Sequence, residues 1–204
     1  MKPPHEKRKA VGRGYLGVDA TDHLKASLDA AVALANATGA EWSQGRARDA
    51  LDQAAIQAVL RRTTNQLPAV DEVAVGEFAA GGKRIYRALV RLADGETDAA
   101  AAALNALLAS TRAAPVLVRH RESAWHLHFA NEGVSVATGW LAEFGTAAAM
   151  LLGSDELDRL RCCAAERCDK LFLDATRNHR QRFCSTACQN RTKVAAFRSR
   201  GAEA

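Results

Sequence analysis

The chain has 204 residues, 48% of them hydrophobic but only 5% aromatic, and a formal net charge of +5. That length suits one large domain, or a medium domain and a small module, around a real core. No apolar run is long enough to span a bilayer, and the opening MKPPHEKRKAVGRGYLG has no apolar h-region, so neither a membrane span nor a secretory signal is expected. The expected setting is the cytoplasm, with no membrane partner.

Plentiful alanine and leucine with few aromatics favour packed helices over a β-sandwich. Residues 1–20, with two prolines and no periodicity, read as a mobile basic arm. From Asp22, Leu24, Leu28, Val32 and Leu34 recur near helical spacing, and Gly39 can end that helix. A second helix is expected over SQGRARDALDQAAIQAVLRRT, with Ser43 as N-cap and Leu51, Ala55 and Val59 on one side. NQLPAVDE is a loop. VDEVAVGEFAAGGKRIYRALVRLADG is a third helix, interrupted or not at Gly81–Gly82, with Ile85, Leu89 and Leu92 as its buried stripe. ETDAAAAALNALLAS is a fourth, with Thr97 as its N-cap.

The pattern then changes. PVLVRH and AWHLHF are short, β-branched or aromatic, and joined by RES, which predicts a β-hairpin. Trp125, Leu127 and Phe129 alternate onto one face, while His126 and His128 share the other with His120 on the partner strand. Those histidines could hold a metal or do acid–base chemistry, with Glu122 and Glu132 as the nearest carboxylates in sequence, and the face they share is a candidate ligand pocket for a small-molecule effector. Satisfied surface histidines are the plainer reading. Helix returns from Val134 to Leu152 and leads through GSDELDRLR into the cysteines.

Charge and thiols divide the chain at the same place. Between Arg159 and Arg200 lie eleven cations against Glu166, Asp169 and Asp174, a net +8 that leaves the rest of the chain at −3. All five cysteines (Cys162, Cys163, Cys168, Cys184 and Cys188) fall in that segment. Clustered thiols without export read as metal ligands rather than disulfides. Cys163-x4-Cys168 and Cys184-x3-Cys188 form two short-spaced pairs, the set that tetrahedral zinc takes, one ion per chain. Cys162 is the alternative to Cys163, and His179 could replace a cysteine. KLFLDATRNHRQRF between the pairs is expected to fold as a hairpin with too little apolar surface to stand alone. Zinc would supply the difference, on the order of 10 kcal/mol. The order of knuckle, hairpin and helix predicts a treble-clef-like finger. Cys188 in the first turn of the last helix would pin the helix that carries the charge.

On that helix Arg191 and Arg198 share one side, Lys193 and Arg200 another, with Val194 and Phe197 between them and in need of cover. Arg177, Arg180, Arg182, Gln189, Asn190, Arg191, Lys193, Arg198 and Arg200 are the candidate contacts to double-stranded DNA: the cations for phosphates, Gln189, Asn190 and Arg191 for base edges. A homodimer would strengthen a lone finger. GRGYLG at residues 12–17 matches G-x-G-x-x-G but lacks the preceding strand, so it reads as a turn. No hydrolase constellation is readable, and no enzyme is expected.

The segment resembles the CGNR zinc-finger proteins. The matching residues are Cys163, Cys168, Phe172-Leu173-Asp174, Arg177-Asn178, Arg180, Arg182-Phe183-Cys184 and Cys188-Gln189-Asn190-Arg191, with Gln189 where the motif has glycine. The resemblance implies four cysteine zinc ligands and a DNA-binding module over 158–204. Residues 21–157 look like the ABATE domain that precedes such fingers, through Leu104-Asn105, HLHF and LDRLRCC. The family is one of stress-induced transcription regulators. The expected architecture is therefore mainly α: a helical, ligand-sensing N-terminal domain with a β-hairpin, then the finger. A protein-interaction adaptor is the alternative function.

Overall fold

The computed structural model describes residues 18–119 and 125–202. Residues 1–17 of the expected arm, the GRGYLG turn, His120, Glu122 and the RES connection lie outside the described residues, and residues 18–20 of that arm belong instead to the first helix. Helices α1 (Val18–Thr38), α3 (Glu72–Ala93), α4 (Thr97–Thr111) and α5 (Val136–Leu152) pack together as a bundle, with the short α2 (Gln53–Leu60) against α1 and α3. Leu34, Ile56, Leu60, Phe78, Ile85, Leu89, Leu104, Leu107 and Phe144 are fully buried at its centre. Side-chain caps fix three of the helix starts in this bundle. Asp52 accepts from the Ala55 amide, Asp71 from Ala74, and Ser135 Oγ from Thr138, each satisfying an amide that the first turn leaves unpaired. Thr97 is instead the first residue of α4, and Glu96 ahead of it makes no side-chain cap.

Helix α3 runs unbroken through Gly81–Gly82. The reason is contact. A Cβ on Gly81 would lie 2.3 Å from Leu141 Cδ1, and one on Gly82 2.5 Å from Thr38 Oγ1 and 2.9 Å from Leu34 Cγ. The pair lets α5 and α1 approach the α3 backbone closely, and both glycines are buried.

The expected second helix is corrected at its front half. Trp42–Ser43 (β1) and Arg46–Ala47 (β2) form a miniature antiparallel hairpin, and helix begins only at Gln53. The turn residues Gln44 and Gly45 have φ of +54° and +90°. Both positive values suit a two-residue hairpin turn and are incompatible with helix.

The histidine hairpin forms as expected from β3 (Val116–Val118) and β4 (His126–His128), with Val116 opposite His128 and Leu117 opposite Leu127. Its apolar face turns outward: Leu117 is 63% and Trp125 62% exposed.

A single 3-10 turn, Leu157–Arg159, follows α5. After it, β5 (Leu160–Cys162) pairs antiparallel with β6 (Leu171–Leu173), and α6 (Thr186–Ala202) ends the described chain. The hairpin partner of LFL is therefore the segment before the first cysteine pair, not the return toward Phe183. Strand alternation explains the choice. Leu171 joins the helical core and Leu173 packs on it, whereas Phe172 joins a second cluster with Cys163, Ala165, Cys168 and Cys188. Strand β6 thus sits between two cores, and Leu160 on β5 extends the first. Among the described residues no helix is long and apolar enough to cross a membrane.

Two substitutions in one helix test the contact argument. Gly82→Ala should lower unfolding free energy by about 1–2 kcal/mol, because overpacking outweighs the better helix propensity of alanine. Gly76→Ala, where an added Cβ meets nothing within 4 Å, should raise it by up to about 1 kcal/mol. Equilibrium denaturation of both variants gives the two signs.

Candidate metal centre

Cys163 and Cys168 flank the connection from β5 to β6, Cys184 precedes α6, and Cys188 lies in its first turn. Their four sulfurs all fall within 4.8 Å of one another. Cys168 Sγ stands 3.7 Å from Cys184 Sγ, which stands 3.8 Å from Cys188 Sγ. Sulfurs about 2.3 Å from a tetrahedral zinc are separated by about 3.8 Å, so the four cysteines fit one zinc ion; a disulfide would need about 2.05 Å. The choice of Cys163 over Cys162 holds. Cys163 is buried in the cluster, and Cys162 is exposed one residue away on β5. His179 is no ligand: its Nδ1 lies 2.6 Å from Asp158 Oδ2, and its backbone sits at φ +49°.

Local backbone geometry holds the thiols. The Cys163 amide donates to the Lys170 carbonyl at 2.9 Å, closing the knuckle, and Arg167 supplies its left-handed residue at φ +52°. The Cys184 amide donates to Cys163 Sγ at 3.4 Å. A second such donor comes from far away in sequence, the amide of Gln44 in the β1–β2 turn, which reaches Cys168 Sγ at 3.4 Å. Amides aimed at sulfur favour the thiolate, the form that binds metal.

That miniature hairpin grips the knuckle along its length. The Gly45 amide donates to the Arg167 carbonyl, and Trp42 both donates to Asp169 Oδ2 and accepts from the Asp169 amide. The Arg167 guanidinium lies 3.9 Å above the Trp42 ring. Nearby, the Asn36 side chain acts as a substitute strand for β6. Its Oδ1 accepts from the Leu171 amide and its Nδ2 donates to the Leu171 carbonyl, both at 2.8 Å. Tyr86 donates its hydroxyl to the Asp169 carbonyl, and burial, then the Asp169 charge, push that phenol up to about 12. These docking residues were not read as site residues in the sequence. The QG pair, a two-residue turn signal, was the only local clue to the β1–β2 hairpin.

Asp174 organises the loop between the ligand pairs. It is 0% exposed, and its carboxylate accepts from the Thr176 amide and hydroxyl and from the Gln181 amide. Burial would raise its pKa, but the Thr176 and Gln181 hydrogen bonds, with Arg161 nearby, hold it below the usual carboxylate range. The loop leaves Arg177, Arg180 and Arg182 exposed.

On α6, Gln189 occupies ordinary helix. Its amide donates to the Ser185 carbonyl, and its side chain is exposed beside Asn190, so the missing motif glycine brings no strain. Lys193, Arg198 and Arg200 are exposed. Arg191 differs. Its Nη2 donates to the Glu166 carbonyl at 2.6 Å, and its guanidinium lies against Gly45, so it braces the helix on the knuckle. Val194 and Phe197 are 48% and 73% exposed and have no cover among the described residues. His126 and His128 lie far from this centre in sequence and join a separate cluster; the carboxylate beside them is Glu143 of α5, not Glu132, which is exposed.

Thiolate spectroscopy tests the ligand set. With cobalt substituted for the finger's zinc, Cys188→Ser should weaken the sulfur-to-metal charge-transfer band by at least about a quarter, as expected for the loss of one of four thiolates, and Cys162→Ser should leave it unchanged.

Residues 159–201 match the family model described as the CGNR zinc finger. No curated protein matches the chain. The match spans β5, both ligand pairs and α6 almost to its end, the same stretch in which the four thiols meet. Sequence pattern and thiol geometry therefore agree that this stretch of the chain is a CGNR zinc finger.

Proposed function

We propose that the protein is a cytoplasmic transcription regulator whose finger binds double-stranded DNA, while the ABATE-like helical region senses a small molecule or dimerises. One observation carries the reading. Residues 175–202 contain seven arginine and lysine residues and no carboxylate, and six of the seven are exposed, three on the loop between the ligand pairs and three on the helix whose first turn carries Cys188. Such a surface neutralises phosphates and releases counterions. Gln189 and Asn190, exposed in the first turns of α6, are types able to read base edges in the major groove.

Contact of Arg191 with the Glu166 carbonyl and Gly45 gives that residue a bracing role in the proposed complex, with the phosphate contacts falling to Lys193, Arg198 and Arg200. A protein-interaction adaptor is the second reading. Exposed Phe197 and Val194, apolar and one turn apart on the same helix, favour it.

Duplex-DNA affinity measured across salt concentration separates the two. The DNA reading expects log affinity to fall steeply and linearly with log salt, with Arg198→Ala plus Arg200→Ala reducing the slope by about 2. A flat plot would turn the assignment toward the adaptor.

A further inference from the structure

Away from the finger, three imidazoles and one buried carboxylate converge from three elements: His23 on α1, His126 and His128 on β4, and Glu143 on α5. His126 Nε2 and His128 Nε2 stand 3.1 Å apart. The ring centroids lie 5.0 Å apart for His126 and His128, 5.4 Å for His23 and His128, and 6.1 Å for His23 and His126.

Those separations have a coordination meaning. Imidazole nitrogens about 2.1 Å from one tetrahedral ion stand about 3.4 Å apart, and their ring centres about 5.2 Å apart. The observed triangle lies within 1 Å of that figure on every side. The carboxylate supplies the remaining part. Glu143 Oε1 is 3.0 Å from His128 Nδ1, an arrangement that keeps the proton on Nδ1 and directs the Nε2 lone pair toward His126. A Glu behind a ligating His is a recurrent feature of metal sites.

Glu143 is also a costly residue to bury. Its side chain is only 5% exposed. Its Oε2 and His23 Nε2 are both buried with no hydrogen-bond partner among the described residues, 3.7 Å from one another. Its Oε1 also accepts from the Phe129 amide at 2.7 Å, and a carboxylate in such a place calls for hydrogen-bonding or cationic partners.

We propose that His23, His126 and His128 ligate a second metal ion, a divalent transition metal, with Glu143 as the carboxylate that orients His128. Imidazole donors suit zinc, copper, nickel or cobalt rather than calcium or magnesium. The site stands whether or not α6 meets DNA, because it shares no residue with the finger.

Cobalt is the probe. Full-length protein, its finger already loaded with zinc, is titrated with Co2+. Expected is one further equivalent bound, with d–d absorption and no thiolate charge-transfer band. His126→Ala with His128→Ala should remove that equivalent while the finger keeps its zinc. Glu143→Gln should weaken it about 10–100-fold. His23→Gln, a substitution on a stable helix rather than in the hairpin, serves as the second variant if the double one fails to fold, and should also lose or weaken binding. The proposal is overturned if the wild-type protein takes up no cobalt beyond the finger, or if uptake is unchanged in His23→Gln. Salt-dependent DNA binding is read on the same samples, so loss of one property leaves the other visible.

Discussion

Four thiols converging on one point is the constraint from which the rest of the C-terminal structure follows. The finger's own apolar cluster is small: Cys163, Ala165, Cys168, Phe172 and Cys188, with Phe183 and Cys184 at its edge. Most of its members are themselves the ligands. Such a cluster cannot offset the entropy of ordering some forty residues, so the bound ion must provide the cohesion. With zinc in place, the start of α6 is fixed relative to the knuckle, and Arg191 carries that rigidity one turn further by reaching the Glu166 carbonyl. Beyond Arg191 the helix is exposed on all sides, which is where its free cations lie.

The finger is not an independent bead on a string. Strand β6 turns Leu171 into the helical core and Phe172 toward the metal. Asn36, Tyr86 and the β1–β2 turn then satisfy backbone groups that the two-stranded β5–β6 sheet leaves open at its edge. Buried amides and carbonyls need partners, and the helical region provides them. Gln44 goes further and donates to a ligand sulfur, so the bundle contributes directly to the metal environment. Helix α1 connects the two polar centres of the molecule. It carries His23 near one end and Asn36 near the other, about 20 Å apart along the helix axis.

The histidine hairpin shows why composition alone misjudges a polar cluster. Read in sequence, His126 and His128 have only Glu122 and Glu132 as nearby acids, and the apolar Trp125–Leu127 face looks like the side to bury. Folding reverses this: the histidine face turns inward onto Glu143, and the apolar face points to solvent. Glu143 itself lies in an otherwise alanine-rich buried helix, where nothing in the local pattern separates it from a chance core acid.

What the sequence determined by itself was whatever depends on short spacing. The cysteine pairs, the stripes of α1 and α3, and the β3–β4 hairpin all follow from spacings of two to five residues, and the structure has them. The Cys-Gln-Asn-Arg order marked the finger for the same reason, since a knuckle and a helix start are local objects. Only the tertiary structure decided which strand pairs with LFL, that residues 42–47 leave the helix to hold Cys168, that Arg191 braces rather than protrudes, and that Glu143 meets His128. Each of these joins residues between 9 and 146 positions apart. The energy of such contacts comes from burial and from pairing polar groups that water no longer reaches, and neither is written in the local period of the chain.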